Sequence, residues 1–327
     1  MSDWGRINVS YFRIFRGVNA VPIAYISHPD CLRHDVGQDH PEQPARLWSI
    51  QDRLISSGLA MAVHQYDAPL ANREQLDAVH DADYVSGIFA KAPEEGMVSL
   101  DSDTFMMPDT LDAALRAAGS VIQGVDLVMK GEVKAAFCAV RPPGHHAERH
   151  RAMGFCYFNN IAVGAAHALN AYGLERVAIV DFDVHHGNGT EDIFRQDQRV
   201  LFCSSFQHPF YPFTGHESDG EQVINIPLKA GADGAEFRAQ AESHWLPALE
   251  RFSPQLVMIS AGFDAHAEDY MGQLRLRETD YRWITTRLKE IADEHAEGRI
   301  VSALEGGYVL DALARSVVAH IDALLGH

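Results

Sequence analysis

The sequence predicts one α/β domain with a doubly wound, largely parallel sheet. Short apolar runs rich in β-branched residues alternate with longer segments of helical periodicity along the whole chain. Several of the short runs are continuously apolar, as expected for parallel strands that helices cover on both faces. Because no repeat, low-complexity tract or linker interrupts the alternation, we expect a single domain over residues 21–327, preceded by an extension over residues 1–20.

Seven apolar runs are predicted strands: 21–26, 135–140, 177–183, 200–205, 222–228, 256–262 and 300–306. Apolar residues recur at three- and four-residue steps in 109–130 and 309–325, and similar patterns predict helices over 159–172, 234–251 and 279–296. The remaining long segments are predicted loops: 28–45, 92–110, 141–158, 206–221 and 263–277. Long loops in a compact domain are often functional.

Composition restricts the class of protein. The chain has 27 basic and 45 acidic residues and a formal net charge of −18, which argues against a nucleic-acid-binding protein. No apolar run approaches the ~20 residues that span a membrane. The four cysteines lie far apart without a CxxC pair, which favours a reducing compartment, and we expect a cytoplasmic protein. We also expect a homo-oligomer, with residues 1–20 as a candidate contact.

Four predicted strands run directly into unusual polar sequence. AAFCAV leads to RPPGHHAE, VAIVDFD to VHHGNGTED, LVMISAGFD to AHAEDYMG, and IVSALEGG to YVLDAL. Ligands of an open parallel sheet bind outside the carboxyl ends of its strands. These four loops are therefore expected to converge on one site.

The first candidate chemistry is metal binding. Asp183 and His185 lie two residues apart at a strand end, so their side chains point to the same side. Asp264, at another strand end, is the third candidate ligand. Each aspartate has a purely structural alternative as a strand-end or helix cap, but buried carboxylates are costly without a cation or several donors. One nitrogen and two carboxylate ligands with an open position would suit a catalytic zinc ion, which polarises a carbonyl and acidifies a water molecule.

The second candidate chemistry is proton transfer. The adjacent His145 and His146 follow two prolines and a glycine, so they lie on a rigid, sharply turned loop. Taken alone, the pair suits buried structure, metal ligation or acid–base chemistry. Beside a metal it could serve as general base and general acid, with Asp181 and Asn188 as partners. Tyr308, which follows two glycines, could donate its hydroxyl to an oxyanion.

These motifs resemble the signature blocks of the zinc-dependent histone deacetylase superfamily, most closely the class II branch and the bacterial histone deacetylase-like amidohydrolases. The resemblance rests on RPPGHHAE…GFCYFNN, VDFDVHHGNGT, SAGFDAH and LEGGY, with HPEQPARL (40–47) and LDSDT (100–104) in the same order. It implies an arginase/deacetylase-like fold with an eight-stranded, largely parallel sheet. It also implies that residues 21–327 form the catalytic domain, with the active site at the strand carboxyl ends.

The resemblance assigns roles to individual residues. It implies zinc binding by Asp183, His185 and Asp264, acid–base catalysis by His145 and His146 with the second as the main base, and carbonyl polarisation by Tyr308. It further implies Arg46 behind the zinc and a potassium site that includes Asp181, Asp183, His185 and Ser204. The implied substrate-binding residues are Gly154, Phe155, Tyr211 or Phe210 on the opposite tunnel wall, and Asp101, or less favourably Asp103, as the rim carboxylate. Asn188 is a class II trait.

The rim departs from the family pattern. Many bacterial relatives have Asp-Pro-Leu-Gly where this chain has EDYMG, so Met271 occupies a position at which polyamine-specific members carry an acidic residue. We therefore expect removal of an acetyl or other short acyl group from lysine side chains of peptides or proteins. The alternative is an acetylpolyamine deacetylase, whose substrate is a small acylated amine.

Two other classes of protein share parts of the pattern. A binuclear manganese ureohydrolase has the same architecture but needs further aspartates bridging a second metal, and the sequence offers one compact ligand set. A non-catalytic acyl-lysine-binding module would lack a ligand, a histidine or the tyrosine, and all of these are present.

Overall fold

An eight-stranded parallel sheet forms the centre of the structure, a computed structural model that describes residues 23–37, 39–216 and 220–327. Its strands are β1 (Ile23–Ser27), β2 (Val63–Asp67), β5 (Ala135–Cys138), β6 (Val177–Asp181), β7 (Val200–Gln207), β8 (Val223–Leu228), β9 (Leu256–Ala261) and β10 (Ile300–Leu304). The strand order is β2-β1-β5-β10-β9-β6-β7-β8, and every neighbouring pair is parallel. The short strands β3 (Val98–Ser99) and β4 (Phe105–Met106) form a separate antiparallel pair.

Helices surround the sheet. They are α1 (Asp30–Arg33), α2 (Ala45–Ser57), α3 (Arg73–Asp77), α4 (Ala82–Lys91), α5 (Thr110–Met129), α6 (Asn160–Ala171), α7 (Asn188–Phe194), α8 (Gly234–Gln240), α9 (Leu246–Phe252), α10 (Glu278–His295) and α11 (Leu310–Leu325). A π-helical turn, Ala241–Trp245, joins α8 to α9. Helix α5 packs on α6, and α11 packs on both α2 and α10. Because helices bury both faces, the central strands β5, β6, β9 and β10 have no exposed residue.

The predicted fold class is confirmed, and all five predicted helices are present, the one over 234–251 as α8 and α9 joined by the π-helical turn. The prediction missed β2, because this edge strand buries only Val63 and therefore lacks an apolar run. It also missed α2, which directly follows Pro44, at the end of the segment predicted as a loop. Residues 1–22 lie outside the described residues, so the proposed extension stays a prediction.

The sheet order explains how the polar loops meet. The four strands followed by the polar motifs, β5, β10, β9 and β6, are consecutive in the sheet. Their registers keep their carboxyl ends level, since Ser260 of β9 pairs with both Asp181 of β6 and Ala303 of β10. All four loops therefore leave the same edge side by side.

The described part of the chain contains no helix with the length and hydropathy needed to cross a bilayer. The four cysteines are free and buried.

Candidate active site

A cavity of about 370 Å³ opens at the carboxyl edge of the sheet. Its lining includes Asp103, His146, Gly154, Phe155, His185, Phe210, Tyr211, Tyr270, Met271 and Tyr308. The lining therefore draws on the loops that follow five strands, β5, β6, β7, β9 and β10, and on the hairpin loop between β3 and β4. Most of the residues implied by the family resemblance for substrate binding and catalysis meet here.

The three predicted metal ligands lie together at the base of the cavity. Asp183, His185 and Asp264 are buried, and one potential ligand atom from each lies within 4.8 Å of the others. The Nδ1 atom of His185 lies 3.0 Å from Asp183 Oδ1 and 3.2 Å from Asp264 Oδ2. This arrangement provides one nitrogen and two carboxylates, the donor types that zinc binds in catalytic sites.

The hydrogen bonding of the two carboxylates fits a bound cation. Asp264 Oδ1 accepts the backbone N–H of Val184 at 2.8 Å, but the buried Oδ2 has no hydrogen-bond partner. Burial and the nearby charge of Asp183 raise the pKa of Asp264 to about 7. Two carboxylates buried so close together repel each other, and a divalent cation relieves that repulsion. The residues therefore fit a metal such as zinc.

Glycine lets the LEGGY segment approach the two carboxylates. A Cβ atom on Gly306 would lie 2.1 Å from Asp264 Oδ2 and 2.6 Å from Asp183 Oδ2, far inside van der Waals contact. The backbone N–H of Gly306 instead donates to Asp183 Oδ2 at 2.8 Å. This close approach carries Tyr308, two residues later, to the cavity wall.

The paired histidines have different partners. His145 Nδ1 lies 2.9 Å from Asp181 Oδ2, and His146 Nδ1 lies 2.7 Å from Asn188 Oδ1. Both partners were candidates from the sequence, and the structure gives one to each histidine. Burial lowers the pKa of His145, but the charges of Asp181 and Asp183 outweigh it and raise that pKa to about 10. Burial lowers the pKa of His146, and the neighbouring His145 adds to the effect. One imidazole therefore holds its proton while the other stays neutral.

Glu305, which the sequence analysis missed, holds the histidine loop in place. Its Oε2 accepts the backbone N–H groups of Gly144 at 2.7 Å and His145 at 3.2 Å, and its Oε1 accepts the Ser260 hydroxyl at 3.1 Å. The carboxylate thus joins the loops that follow β5 and β10 to strand β9. An acidic residue directly after the apolar run IVSAL was the available signal.

Tyr308 lines the cavity and is anchored through its backbone. Its N–H donates to Asp269 Oδ2 at 2.7 Å, and the Arg46 guanidinium lies 5.0 Å from the centre of its ring. Arg46 also donates to the carbonyl oxygen of Gly307 at 2.6 Å, so it lies against the segment that carries Tyr308. The position behind the zinc that the resemblance implies for Arg46 stays a prediction. Burial raises the pKa of Tyr308, which keeps the phenol protonated as a hydrogen-bond donor.

Aromatic rings form the walls of the cavity. Phe210 and Tyr211 both line it, so the two sequence alternatives are both wall residues. The Phe210 ring stacks on His185 with centroids 5.6 Å apart, whereas the Tyr211 ring meets His146 edge-on at 5.2 Å. The Phe155 ring lies 6.1 Å from that of Tyr308. These rings give the cavity largely apolar walls, which suit an aliphatic substrate chain.

Gly154 is needed for the close packing of this wall. Its φ of +58° is unfavourable for other residues, and an added Cβ would lie 2.4 Å from His146 Cδ2. The backbone of the GFCYFNN segment therefore rests directly against the imidazole ring. Any side chain here would displace the ring.

The rim of the cavity differs from the expectation in two respects. Asp103 lines the cavity, and its Oδ1 accepts the N–H of Gly154 at 3.1 Å. Asp101, which the sequence favoured, instead caps its own turn through the N–H of Ser102, so the structure favours Asp103 as the rim carboxylate. Tyr270, 65 % exposed, is a rim residue that the sequence analysis did not single out.

Met271 lines the cavity as expected. Its N–H donates to Asp269 Oδ1 at 2.9 Å, while the other oxygen of Asp269 holds Tyr308. Asp269 therefore fixes the rim relative to the tyrosine, a role that the sequence analysis missed.

The residues of the predicted potassium site lie around the ends of β6 and β7. Ser204 is opposite Asp181 in the sheet, and its hydroxyl lies 3.0 Å from His186 Nδ1. Asp181 Oδ1 accepts the N–H of Asp183 at 3.0 Å. Potassium binding at this place stays a prediction.

Comparison with known proteins gives a consistent result. Residues 40–324 match the family model described as the histone deacetylase domain. The histone deacetylase-like amidohydrolase of Pseudomonas aeruginosa is 38% identical over 276 residues, which cover 82% of this chain and 72% of that protein. The human polyamine deacetylase HDAC10 is 36% identical over 325 residues, which cover 93% of this chain and 48% of that protein. The chain thus spans about half the length of this relative.

A solved structure agrees with the sequence comparisons. The crystal structure of the HDA15 HD domain matches with a TM-score of 0.87 and 34% identity, covering 93% of this chain and 90% of that one. The relatives named above are deacetylases or amidohydrolases, which supports hydrolysis of an acyl amide. The chain belongs to the histone deacetylase family.

Proposed function

We propose that the protein is a zinc-dependent deacylase that removes acetyl, or another short acyl group, from the Nε atom of lysine in peptides or proteins. One observation supports this most strongly. The three buried candidate ligands, the histidine pair and Tyr308 surround the base of one cavity with aromatic walls. This combination provides a metal site, a base and an oxyanion donor around a single reacting group.

Zinc bound by Asp183, His185 and Asp264 would supply Lewis-acid activation of the substrate carbonyl and of a water molecule. The protein's own groups would do the rest. Neutral His146 accepts a proton from the attacking water, because Asn188 occupies its Nδ1 and leaves Nε2 for the transfer. The Tyr308 phenol donates a hydrogen bond to the carbonyl oxygen as negative charge develops there.

The other histidine, His145, is proposed to be the protonated member of the pair. His145 Nδ1 lies 2.9 Å from Asp181 Oδ2, a carboxylate that favours the protonated imidazole, and the His145 ring centre lies 4.0 Å from that of His146. The pair together can accept one proton and return one to the leaving amine, while Asp181 stabilises the cationic form. We include a potassium ion near Asp181 and Ser204 in the proposal, as an additional charge at the ends of β6 and β7.

The walls and the rim support lysine as the substrate. Phe155 and Phe210 offer apolar surfaces to the four methylene groups of an acylated lysine side chain. Met271 at the rim is uncharged and suits the neutral peptide backbone next to that side chain. An acetylated polyamine is the second candidate, favoured by the relationship to HDAC10 and by the rim carboxylate Asp103.

The test is a side-by-side measurement of kcat/KM for a panel of acyl-lysine peptides and acetylated polyamines at one ionic strength. We expect acetyl-lysine peptides to be turned over better than acetylspermidine or acetylputrescine. A ratio that favours the polyamine by about tenfold or more would replace the proposed substrate and leave the chemistry intact. No turnover of any acyl amide by zinc-loaded protein would overturn the proposed function.

A further inference from the structure

The side-chain amide of Asn188 lies between His146 and Glu148. Asn188 Oδ1 is 2.7 Å from His146 Nδ1, and Asn188 Nδ2 donates to Glu148 Oε1 at 2.8 Å. Asn188 is 7 % exposed, and the Glu148 side chain is 16 % exposed. The three side chains therefore form a short chain of hydrogen bonds, largely shielded from solvent, that ends at the base of the cavity.

The donors and acceptors of these three side chains allow only one orientation of the Asn188 amide. A carboxylate only accepts hydrogen bonds, so the amide must present its NH2 group to Glu148. The carbonyl oxygen of His146 and the sulfur of Met153, each 3.4 Å from Asn188 Nδ2, are acceptors as well. Asn188 Oδ1 then faces His146, and the Nδ1 atom of that ring must carry the hydrogen.

We propose that Glu148 is a positioning residue: it fixes the orientation of the Asn188 amide and thereby holds His146 in the tautomer with hydrogen on Nδ1. The Nε2 atom is then free to accept a proton in the cavity. This inference rests on the proposed function of His146 as the base. Glu148 lies two residues after His146 in the RPPGHHAE segment. Neither the family resemblance nor the cavity lining assigns it a role.

An asparagine at position 188 needs a neighbour that fixes its orientation, whereas an aspartate at the same position would not. An amide has different groups at its two ends, and rotation by 180° would turn its NH2 group towards His146. That orientation donates to Nδ1 and selects the opposite tautomer, in which hydrogen occupies Nε2. A carboxylate has two equivalent oxygens, so rotation changes nothing. Glu148 supplies the strongest acceptor on the amide's NH2 side, because it is charged.

The first test compares three variants by kcat and KM on an acetyl-lysine peptide. Glu148→Ala should lower kcat by about tenfold with little change in KM, because the strongest of the acceptors that orient the amide is lost. Glu148→Gln, which keeps an acceptor oxygen of the same reach, should recover much of the loss. Arg151→Ala is the matched control. It removes the exposed guanidinium that pairs with Glu148 Oε1 at 2.9 Å but keeps that oxygen as the acceptor of Asn188 Nδ2, so kcat should stay within about twofold.

The second test changes the sign of the effect. In an Asn188→Asp background the partner of His146 has no wrong orientation, and Glu148 faces a second carboxylate at close range. Glu148→Ala should then leave kcat unchanged or raise it, because it removes repulsion rather than an orienting bond. An equal loss of kcat in both backgrounds would show that Glu148 acts in some other way and would overturn the proposal.

The third test does not depend on activity. Histidine ring nitrogens selectively labelled with ¹⁵N report the tautomer by NMR, and the His146 signals are assigned by comparison with His146→Ala. The wild-type protein should show hydrogen on Nδ1 of His146, and Glu148→Ala should show a mixture of tautomers or the opposite one. An unchanged tautomer in Glu148→Ala overturns the proposal. Inactive wild-type protein with the expected tautomers would overturn the proposed function instead.

Discussion

The base and the rim of the cavity are built differently. At the base, Asp183, Asp264 and His145 are 1 %, 0 % and 2 % exposed, and each is held by backbone or side-chain hydrogen bonds from other loops. At the rim, Tyr270 is 65 % exposed, and Met271 is partly exposed and held through its backbone. A change at the base disturbs several coupled groups, whereas a change at the rim alters one side chain.

This difference separates chemistry from selectivity. The buried charges at the base act in a low-dielectric setting, where a lost partner is costly and where electrostatic stabilisation is strongest. The exposed groups at the rim are screened by water and contribute modestly. We therefore expect substitutions at the base to lower kcat for every substrate, and substitutions at the rim to change the ratio between substrates.

The largest effect should follow loss of a metal ligand. Asp264→Ala leaves two of the three ligands and should reduce amide cleavage to background, because two ligands hold zinc poorly. Glu294→Ala is the control. Glu294 belongs to a second group with Glu250 and His295 that could also hold a metal, but its carboxylate is exposed, so its removal should leave kcat unchanged. Substantial activity of Asp264→Ala on an acetyl-lysine peptide would place the metal elsewhere.

The second largest effect should follow loss of the oxyanion donor, Tyr308, or of the general base, His146. Tyr308→Phe and His146→Ala should each lower kcat by roughly 100-fold or more with little change in thermal stability. Tyr172→Phe is the matched control, since its hydroxyl donates to Asp126 at 2.8 Å away from the cavity and should not matter for kcat. Wild-type kcat in Tyr308→Phe would mean that this tyrosine only packs.

Gly154→Ala tests the close packing of the Gly154 backbone, in the cavity wall, against the His146 ring. The added methyl group would displace the His146 ring, and we expect kcat to fall by between about 10- and 100-fold. Gly173→Ala controls for backbone strain, because Gly173 has a similar φ of +63° and no atom within 4 Å of an added Cβ. Both variants should lose stability in a thermal melt, and only Gly154→Ala should lose kcat. Equal kcat values would show that the close contact between Gly154 and the His146 ring does not matter for catalysis.

The smallest effect should occur at the rim. Met271→Glu adds a carboxylate that can pair with a cationic nitrogen of a polyamine, so the kcat/KM ratio should shift towards acetylpolyamines by up to about tenfold. Met271→Gln introduces a side chain of nearly the same size as glutamate but without its charge, and it should shift the ratio little. Added salt should weaken the shift. If the ratio does not move, position 271 does not contact the flanking part of the substrate.

The sequence could place the residues at the bottom of the cavity close together because of one geometric fact. Parallel strands bring their carboxyl ends together, so Asp183, Asp264 and Tyr308, far apart in the chain, could be placed at one edge from their positions after apolar runs. The residues that hold this arrangement were not predictable in the same way. Glu305 and Asp269 act through hydrogen bonds to the backbone of distant loops, and no local pattern specifies those partners.

The rim was predicted less well for a related reason. The choice between Asp101 and Asp103 depends on the path of a short loop, which the alternation of apolar and polar residues does not determine. Tyr270 carried no periodicity or motif that marked it as part of a cavity. Edge strand β2 was missed because most of its side chains are solvent-accessible. Prediction thus succeeded for residues that directly follow an apolar strand run, and failed for residues that are placed by contacts with distant loops or by the path of a short loop.

The most direct test of the account is the zinc stoichiometry of the protein measured together with its activity. The protein is depleted of metal and titrated with zinc, and at each step bound zinc is measured by mass spectrometry and amide cleavage by assay. Cleavage should rise in proportion to bound zinc and saturate at about one ion per chain. Asp264→Ala should bind less zinc and stay inactive at the same zinc concentration. Full activity of a verified metal-free preparation would contradict the assignment of Asp183, His185 and Asp264 as ligands of a catalytic metal.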